Sequence, residues 1–404
     1  MTDLPQGWRE VALGDLVKVQ GGFAYKSADW VESGMPVIRI GNVSNLGIDL
    51  TTSAFVEFGK AQSEERYGAK KGDVLLNMTG ATLGAVGAYM SEAVVRINQR
   101  VGRLDIADNK ALLSTYLLRL MQSPHTQKMM LDISKGAAQP NIAPKDVHSL
   151  SVLIPPLAEQ ERIVEILEEQ FSRLDSALAS IKAVREKSKA FRRSLLHSAF
   201  SGELTGGTEG WREVALKDAA EVVMGQSPPS SAYNEVGAGK PFFQGKAEFG
   251  DKHPTVKKWT TEGSKHAIAG DILMSVRAPV GPTNIANVDC VIGRGLAAIR
   301  AGSLTNQTYL LWVLRSIETD IAAKGVGTTF ASISGGELRS TRLPLPPLAE
   351  QERIVEILEE QFSRLDKALE VANQLEARIA SERRSLLHSA FTGALTPTWR
   401  QNND

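Results

Sequence analysis

A chain of 404 residues, 42% hydrophobic and 23% charged, is long enough for two or three domains with full cores. Its 46 basic and 46 acidic side chains cancel, which argues against a nucleic-acid binder that works by bulk charge alone. A single cysteine, Cys290, excludes an internal disulfide and a cysteine-built zinc site; no apolar run approaches the roughly 18 residues of a membrane span, and the N-terminus lacks a charged-then-apolar signal, so the expectation is a cytoplasmic protein with no membrane role.

Residues 1–154 form a mixed segment. The stretch PVIRI at 36–40 and Asp73-Val74-Leu75-Leu76 have the short apolar pattern of strands, with glycines between them as turns. Residues 111–121 (ALLSTYLLRLM) predict a helix, and residues 149–154 predict a last strand before Pro155-Pro156.

Residues 155–205 follow as a neck and linker. Proline near the first turn and acids at Glu159 and Glu161 suit a helix start. Leu167, Phe171, Leu174, Leu178 and Ile181 alternate steps of four and three, a seam for packing against another helix. A continuous helix from Pro156 to Phe200 would run roughly 65 Å at ~1.5 Å per residue. Gly202 is its expected stop, and residues 201–210 (SGELTGGTEG) are linker-like.

The chain then repeats itself. Residues 155–175 return letter for letter as 346–366; Gly7-Trp8-Arg9-Glu10-Val11-Ala12-Leu13 returns at 210–216, and residues 192–200 return at 383–391. Residues 206–345 repeat the first mixed segment in outline only. Gly270-Asp271-Ile272-Leu273-Met274 matches residues 72–76, Tyr309-Leu310-Leu311 matches Tyr116-Leu117-Leu118, and Gly327-Thr328-Thr329 with Ile333 matches Gly136-Ala137-Ala138 with Ile142. Residues 346–404 carry the second neck, with Leu358, Phe362, Leu365 and Leu369 on the same seam. Near its end Trp399-Arg400 echoes Trp8-Arg9 and Trp211-Arg212, as though a third copy began there, so the two ends are expected to meet. Unlike mixed segments on like necks are what two recognition modules tuned to different targets require, and the identity of the necks suggests two like partners.

Catalytic patterns are missing from the sequence. Gly239-Lys240 lacks the rest of a phosphate-binding loop, and Gly80, Gly84 and Gly87 have the wrong spacing for a dinucleotide or methyl-donor loop. Ser227-Pro228-Pro229-Ser230 lacks the aromatic fourth residue that an amino-methyltransferase stacks on its target base, and reads as a turn. Asp108 and Lys110 lack the paired upstream acid of a nuclease metal site. The six histidines have no metal-ligand spacing; His197 and His388 are repeat-equivalent and read as structural. The expected catalytic set and metal set are therefore empty, and the chain is expected to bind and position rather than catalyse.

The two LAEQ-x-RIV-x-x-L helix starts, the Leu-Leu-x-x-Ala-Phe-x-Gly-x-Leu ends at Leu195–Leu204 and Leu386–Leu395, and the module openings at Gly22 through Lys26-Ser27 and Gly225-Gln226-Ser227-Pro228 through Tyr233 closely resemble the DNA specificity subunit of type I restriction-modification systems, over the whole chain. The resemblance implies an α+β protein with two mixed α/β target recognition domains, residues 1–154 and 206–345, separated by two long antiparallel helices that form an intramolecular coiled coil, pseudo-two-fold and cyclic. Each recognition domain would read one half of a bipartite, asymmetric site on double-stranded DNA. The helices would set the spacer and dock two methyltransferase subunits, and restriction (motor) subunits would join. S-adenosylmethionine, ATP and Mg would belong to those partners, with no cofactor in this chain. The competing readings are a self-sufficient DNA methyltransferase or nuclease, for which the motifs are missing, and a coiled-coil scaffold without a DNA role.

Candidate DNA-binding residues are polar or basic side chains in glycine-rich loops: Lys26, Arg39, Asn77, Thr79, Gln99, Arg100, Gln139 and Asn141 in the first module, and Gln244, Lys246, Arg277, Arg294, Thr328 and Thr329 in the second. Arginine pairs with guanine edges and asparagine or glutamine with adenine edges, whereas many such side chains contact phosphate instead.

Overall fold

Two helices of 44 residues each, Leu157–Phe200 and Leu348–Phe391, run through the computed structural model, which describes residues 4–62, 65–135, 140–324 and 331–403. The chain divides into two units, Met1–Ile181 with Asn373–Asp404, and Lys182–Ala372. Each unit holds the first part of one long helix and the last part of the other. No helix among the described residues is long and apolar enough to cross a membrane.

In the first unit a four-stranded antiparallel sheet has the order Val86–Ala88, Val74–Asn77, Val101–Ile106, Val17–Gly21. A five-stranded sheet has the order Trp30–Val31, Ala54–Val56, Met35–Ile38, Val95–Ile97, Gly68–Ala69. A third pair joins Arg9–Ala12 to Ser151–Ile154. The strand Val74–Asn77 is apolar on both faces because it separates two cores. Val74 and Leu76 face a core shared with the helices, while Leu75 faces a second core with Ile38, Val95 and Ile97.

The second unit repeats this order strand for strand: Thr283–Ile285, Ile272–Ser275, Leu296–Ala301, Ala220–Met224 in one sheet, and Tyr233–Asn234, Trp259–Thr260, Lys240–Phe243, Cys290–Ile292, His266–Ala267 in the other. Ile272 and Met274 again face the helical core and Leu273 the other. Among the elements without a counterpart in the second unit are a hairpin of Val43–Ser44 with Gly47–Ile48 and a short helix, Phe58–Gln62.

Three expected boundaries shift for local reasons. The helix expected from residue 111 is Ser114–Gln122, because Gln160 accepts from Leu113 N at 3.0 Å and donates to Ala111 O at 2.9 Å, holding Leu113 extended after a turn at Ala111. The strand expected over 36–40 ends at Ile38, where Asn42 Oδ1 accepts from Arg39 N at 2.9 Å and starts a turn. The strand expected from 149 begins at Ser151, since Ser149 N still donates to Lys145 O in the preceding helix.

The neck starts are buried in their own units. Gln160 also donates to Pro155 O at 3.0 Å. Its repeat Gln351 accepts from Asn306 N at 2.7 Å and donates to Leu304 O and Pro346 O. Leu167 and Phe171 are buried against Tyr116, Leu117 and Leu120, together with Leu387 and Phe391 of the second long helix; Leu358 and Phe362 sit likewise against Tyr309 and Val313. Leu174, Leu178, Leu365 and Leu369 are half-buried.

Within each unit the helix portions run antiparallel. In the first, Arg383 pairs with Asp175 and lies 4.8 Å from the Phe171 ring centroid. In the second, Arg192 pairs with Asp366 and lies 4.9 Å from the Phe362 ring. Gly202 closes the first long helix at φ +85.

The chain's terminal segments meet at Glu159, but the echo at Trp399-Arg400 is not a third copy of the strand at Arg9–Ala12. It lies in a helix, Pro397–Asn402, because proline at the first helical position leaves no unmet N–H. Trp8 takes the tryptophan position beside Glu159 instead, donating from Nε1 at 2.9 Å.

Candidate nucleic-acid interface

In the first unit three of the candidate residues, Arg39, Gln99 and Arg100, line one cleft. Gly22 has no room for a side chain, since a Cβ there would lie 2.2 Å from Ile97 O. This contact lets Gln99 N donate to Phe23 O at 2.9 Å and places Gln99 and Arg100, both exposed, on a tight turn. With Arg39, Asn42, Asn98 and Tyr25 they line a cleft of about 490 Å³. Arg39 is exposed and lies 5.6 Å from the Trp30 ring centroid. Trp30 in turn packs on Tyr25 at 5.5 Å and Tyr25 on Phe23 at 4.9 Å, so the guanidinium rests on a rigid aromatic floor. Lys26 is exposed at the start of the turn Ser27–Asp29. Asp29 accepts from its backbone N–H, and the neighbouring Lys60 ammonium holds that carboxyl below its ordinary range.

Thr79 and Asn141 face each other in an isolated antiparallel bridge, with Thr79 Oγ1 donating to Pro140 O at 3.3 Å. Asn141 is exposed and Thr79 half-buried. Asn77 is a correction. It is 0% exposed, and its Nδ2 donates to Ile40 O at 2.8 Å and to Thr82 Oγ1 at 3.0 Å, so it braces the loop from within and cannot reach a base. Gln139 lies outside the described residues.

In the second unit the matching bridge joins Arg277 to Ser332, with Arg277 exposed. Gln244, the structural counterpart of Arg39, is exposed at the end of the strand Lys240–Phe243. Glycines force its neighbours close: a Cβ on Gly295 would lie 2.3 Å from Gln244 O, and one on Gly225 would lie 2.1 Å from Gly293 O. Arg294 is exposed between Gly293 and Gly295, its N–H donating to Ser227 Oγ at 3.3 Å. Gln244 and Arg294 are thereby brought together. Lys246 is exposed on the loop that follows, and Thr328 and Thr329 lie outside the described residues.

Sequence reasoning missed Tyr25, Asn42 and Asn98 at the first cleft and Ser332 opposite Arg277. Asn98 directly precedes Gln99-Arg100 in sequence, which could have found it; Ser332 is tied to Arg277 only through the bridge. Each unit presents hydrogen-bonding and cationic side chains on fixed turns, which suits recognition of a polar, anionic surface. Among the described residues no group of three or more His, Cys, Asp or Glu converges where it could hold a metal ion. Cys290 is buried, and burial, helped by Asp271 and Asp289, pushes its thiol up to about 12, far from a reactive thiolate.

Residues 5–184 and 208–380 each match the type I restriction modification DNA specificity domain. The chain belongs to that family. A specificity subunit of the type I enzyme MjaX, putative, from Methanocaldococcus jannaschii is 30% identical over 97% of this chain and 95% of that protein. The EcoKI specificity subunit from Escherichia coli is 24% identical over 99% of this chain and 92% of that one. Among solved structures, a chain from work on complex assembly and conformational transition of the type I restriction-modification system has a TM-score of 0.83 and 29% identity, covering 98% of this chain and all of that one. The HsdS subunit from Thermoanaerobacter tengcongensis has a TM-score of 0.61 at 28% identity, covering 97% of this chain and 98% of that one. The two matched stretches of this family member carry the two sets of turns described above.

Proposed function

We propose that this chain is the non-catalytic specificity subunit of a cytoplasmic type I restriction-modification complex, in which the sheet module of each unit reads one half of a bipartite, asymmetric site on double-stranded DNA. The observation that carries this reading is the pair of matched bridges. The same strand order presents Thr79 with Asn141 in one unit and Arg277 with Ser332 in the other. One scaffold with unlike side chains at one position is what reading two unlike half-sites requires. Arg39 against Gln244 is a second such contrast.

The long helices are assigned the spacer and the docking of two methyltransferase subunits, with the restriction subunits joining them; S-adenosylmethionine, ATP and Mg are assigned to those partners. Burial accounts for the identity of Gln160 with Gln351, but not for that of Glu161, Glu165, Glu168 and Glu169 with Glu352, Glu356, Glu359 and Glu360, all of which are exposed. A partner surface used twice supplies the missing reason.

The test is competition binding with the chain co-purified with its methyltransferase. Retention of a single bipartite duplex against scrambled competitors is the expected result. Methyl transfer by the purified chain alone would overturn the assignment.

A further inference from the structure

The connection between the second and third matched strands of the five-stranded sheet differs sharply between the units. In the first unit it is residues 39–53, whose part beyond Arg39 carries one ionisable side chain, Asp49. In the second it is residues 244–258, which carry Lys246, Lys252, Lys257 and Lys258 against two acids, Glu248 and Asp251. All four lysines are exposed, and none forms an ion pair with a carboxylate among the described residues. Glu248 is occupied within the loop, accepting from Gly245 N at 3.0 Å.

A run of lysines on a mobile loop is most simply a solvated face, but this loop is fastened along its length. Asn284 Nδ2 donates to Gly250 O at 2.7 Å, Ile285 N donates to Lys252 O at 3.1 Å, and His253 Nδ1 lies 3.0 Å from Ile285 O. Phe249 bridges to Pro254. Phe249 and Val256 pack against the core around Phe243 and Ile292. The lysines are therefore held on a fixed frame that begins two residues after Gln244, at the edge of the candidate interface. Four lysines carried on one fastened frame gather positive charge on one face of the loop, and an anionic surface of matching extent complements it.

Resting on the function proposed above, we infer that residues 245–258 form a clamp for the phosphate backbone of the duplex beside the half-site read by the second unit, with no counterpart in the first. Ammonium groups bind phosphate as point charges and carry no base information. Lys246 accordingly belongs with the phosphate contacts rather than with base readout. Binding by the complex then owes its salt dependence unequally to its two halves.

The experiment uses the full chain in complex with its methyltransferase and follows duplex affinity from 50 to 200 mM salt. Each phosphate contact contributes a slope of about −0.9 in log affinity against log salt. The triple variant Lys252→Ala, Lys257→Ala, Lys258→Ala should flatten the slope by about 2 to 3, while the methylated sequence stays the same in both halves. The matching Lys→Arg triple variant should retain the original slope, which separates lost charge from lost folding. An unchanged slope in the alanine variant overturns the clamp and leaves a solvated face. Loss of the methyltransferase from the purified complex also overturns it, by making the loop a subunit contact. If the unmutated complex shows no preference for any bipartite duplex, the function proposed above fails instead.

Discussion

Arg400 donates from Nε and Nη2 to Oε1 of Glu159, at 3.1 and 2.7 Å, across 241 positions of sequence. Thr396 Oγ1 donates to the same oxygen at 2.7 Å and Trp8 Nε1 to the other at 2.9 Å. A carboxylate only 1% exposed is thus saturated by groups from both terminal segments. The repeat-equivalent Glu350 is half-buried and receives one of these bonds, from Thr205 at 2.6 Å. Trp211 Nε1, the counterpart of Trp8 Nε1, has no hydrogen-bond partner among the described residues. The glycine-rich linker passes there in place of the helix that carries Arg400.

Removing the cation from this site should be costly. Arg400→Met leaves Glu159 charged, buried and short of its strongest donors, a loss of about 3 to 5 kcal/mol. Denaturant unfolding should show the midpoint falling for the first unit. Adding Glu159→Gln to that variant should recover part of the loss, because the uncompensated charge goes with it. Thr205→Val, at the less buried site, should cost only about 1 kcal/mol. Equal losses for Arg400→Met and Thr205→Val would contradict this account.

The arginines that close the helix pairs should behave alike in the two units. Arg383 and Arg192 each sit on a phenylalanine ring and pair with an aspartate, Asp175 or Asp366, that is more than half exposed. Exposure leaves the ion pair worth little, so the ring contact and the packed stem dominate. Arg383→Met and Arg192→Met should each cost about 1 kcal/mol or less, and Arg→Lys should retain most of it. High salt should change these differences little, which thermal unfolding at two salt concentrations can check.

The matched bridges predict a one-sided change of specificity. Arg277→Ala should alter base preference in one half-site by about 1 to 3 kcal/mol and leave the other half unchanged. Asn141→Ala should do the reverse. Sequencing of methylated sites in cells carrying each variant measures both halves at once. Preferences unchanged in both halves would remove Arg277 from base readout.

The duplicated architecture was legible because three repeated blocks recur in the same order and the helix seam has its own period. Individual side chains were less so. Asn77 and Asn141 are both polar side chains that could face a base, yet one is sealed inside the sheet and the other stands in solvent; the segment carrying Ile40 and Val43, whose carbonyls accept from Asn77 Nδ2, lies across Asn77. The helix start at Ser114 was hidden because Gln160, far along the chain, holds Leu113 extended. The Trp399-Arg400 echo pointed to the right neighbourhood but the wrong conformation, since Pro397 favours a helix and Trp8 already fills the tryptophan position. Of the lysine loop only Lys246 stands among the sequence candidates, because the fastening of residues 250–253 to Asn284 and Ile285 is set by the fold.

The unit boundaries make the spacer assignment testable without disturbing either reader. They fall after Ile181 in the first long helix and after Ala372 in the second. The pairs Arg383 with Asp175 and Arg192 with Asp366 each lie within one unit, as do the bonds to Glu159 and Glu350. Four helix-forming residues inserted at both boundaries therefore leave every one of these contacts in place. They lengthen each helix by about 6 Å, at ~1.5 Å per residue. Along a duplex that repeats every ~34 Å per ten base pairs, this is somewhat under two base pairs. The methylated motif should keep both half-sites and gain about one or two base pairs of spacer. A deletion of the same length should shorten it. If either half-site changes while the spacer does not, the helices are not what separates the two readers.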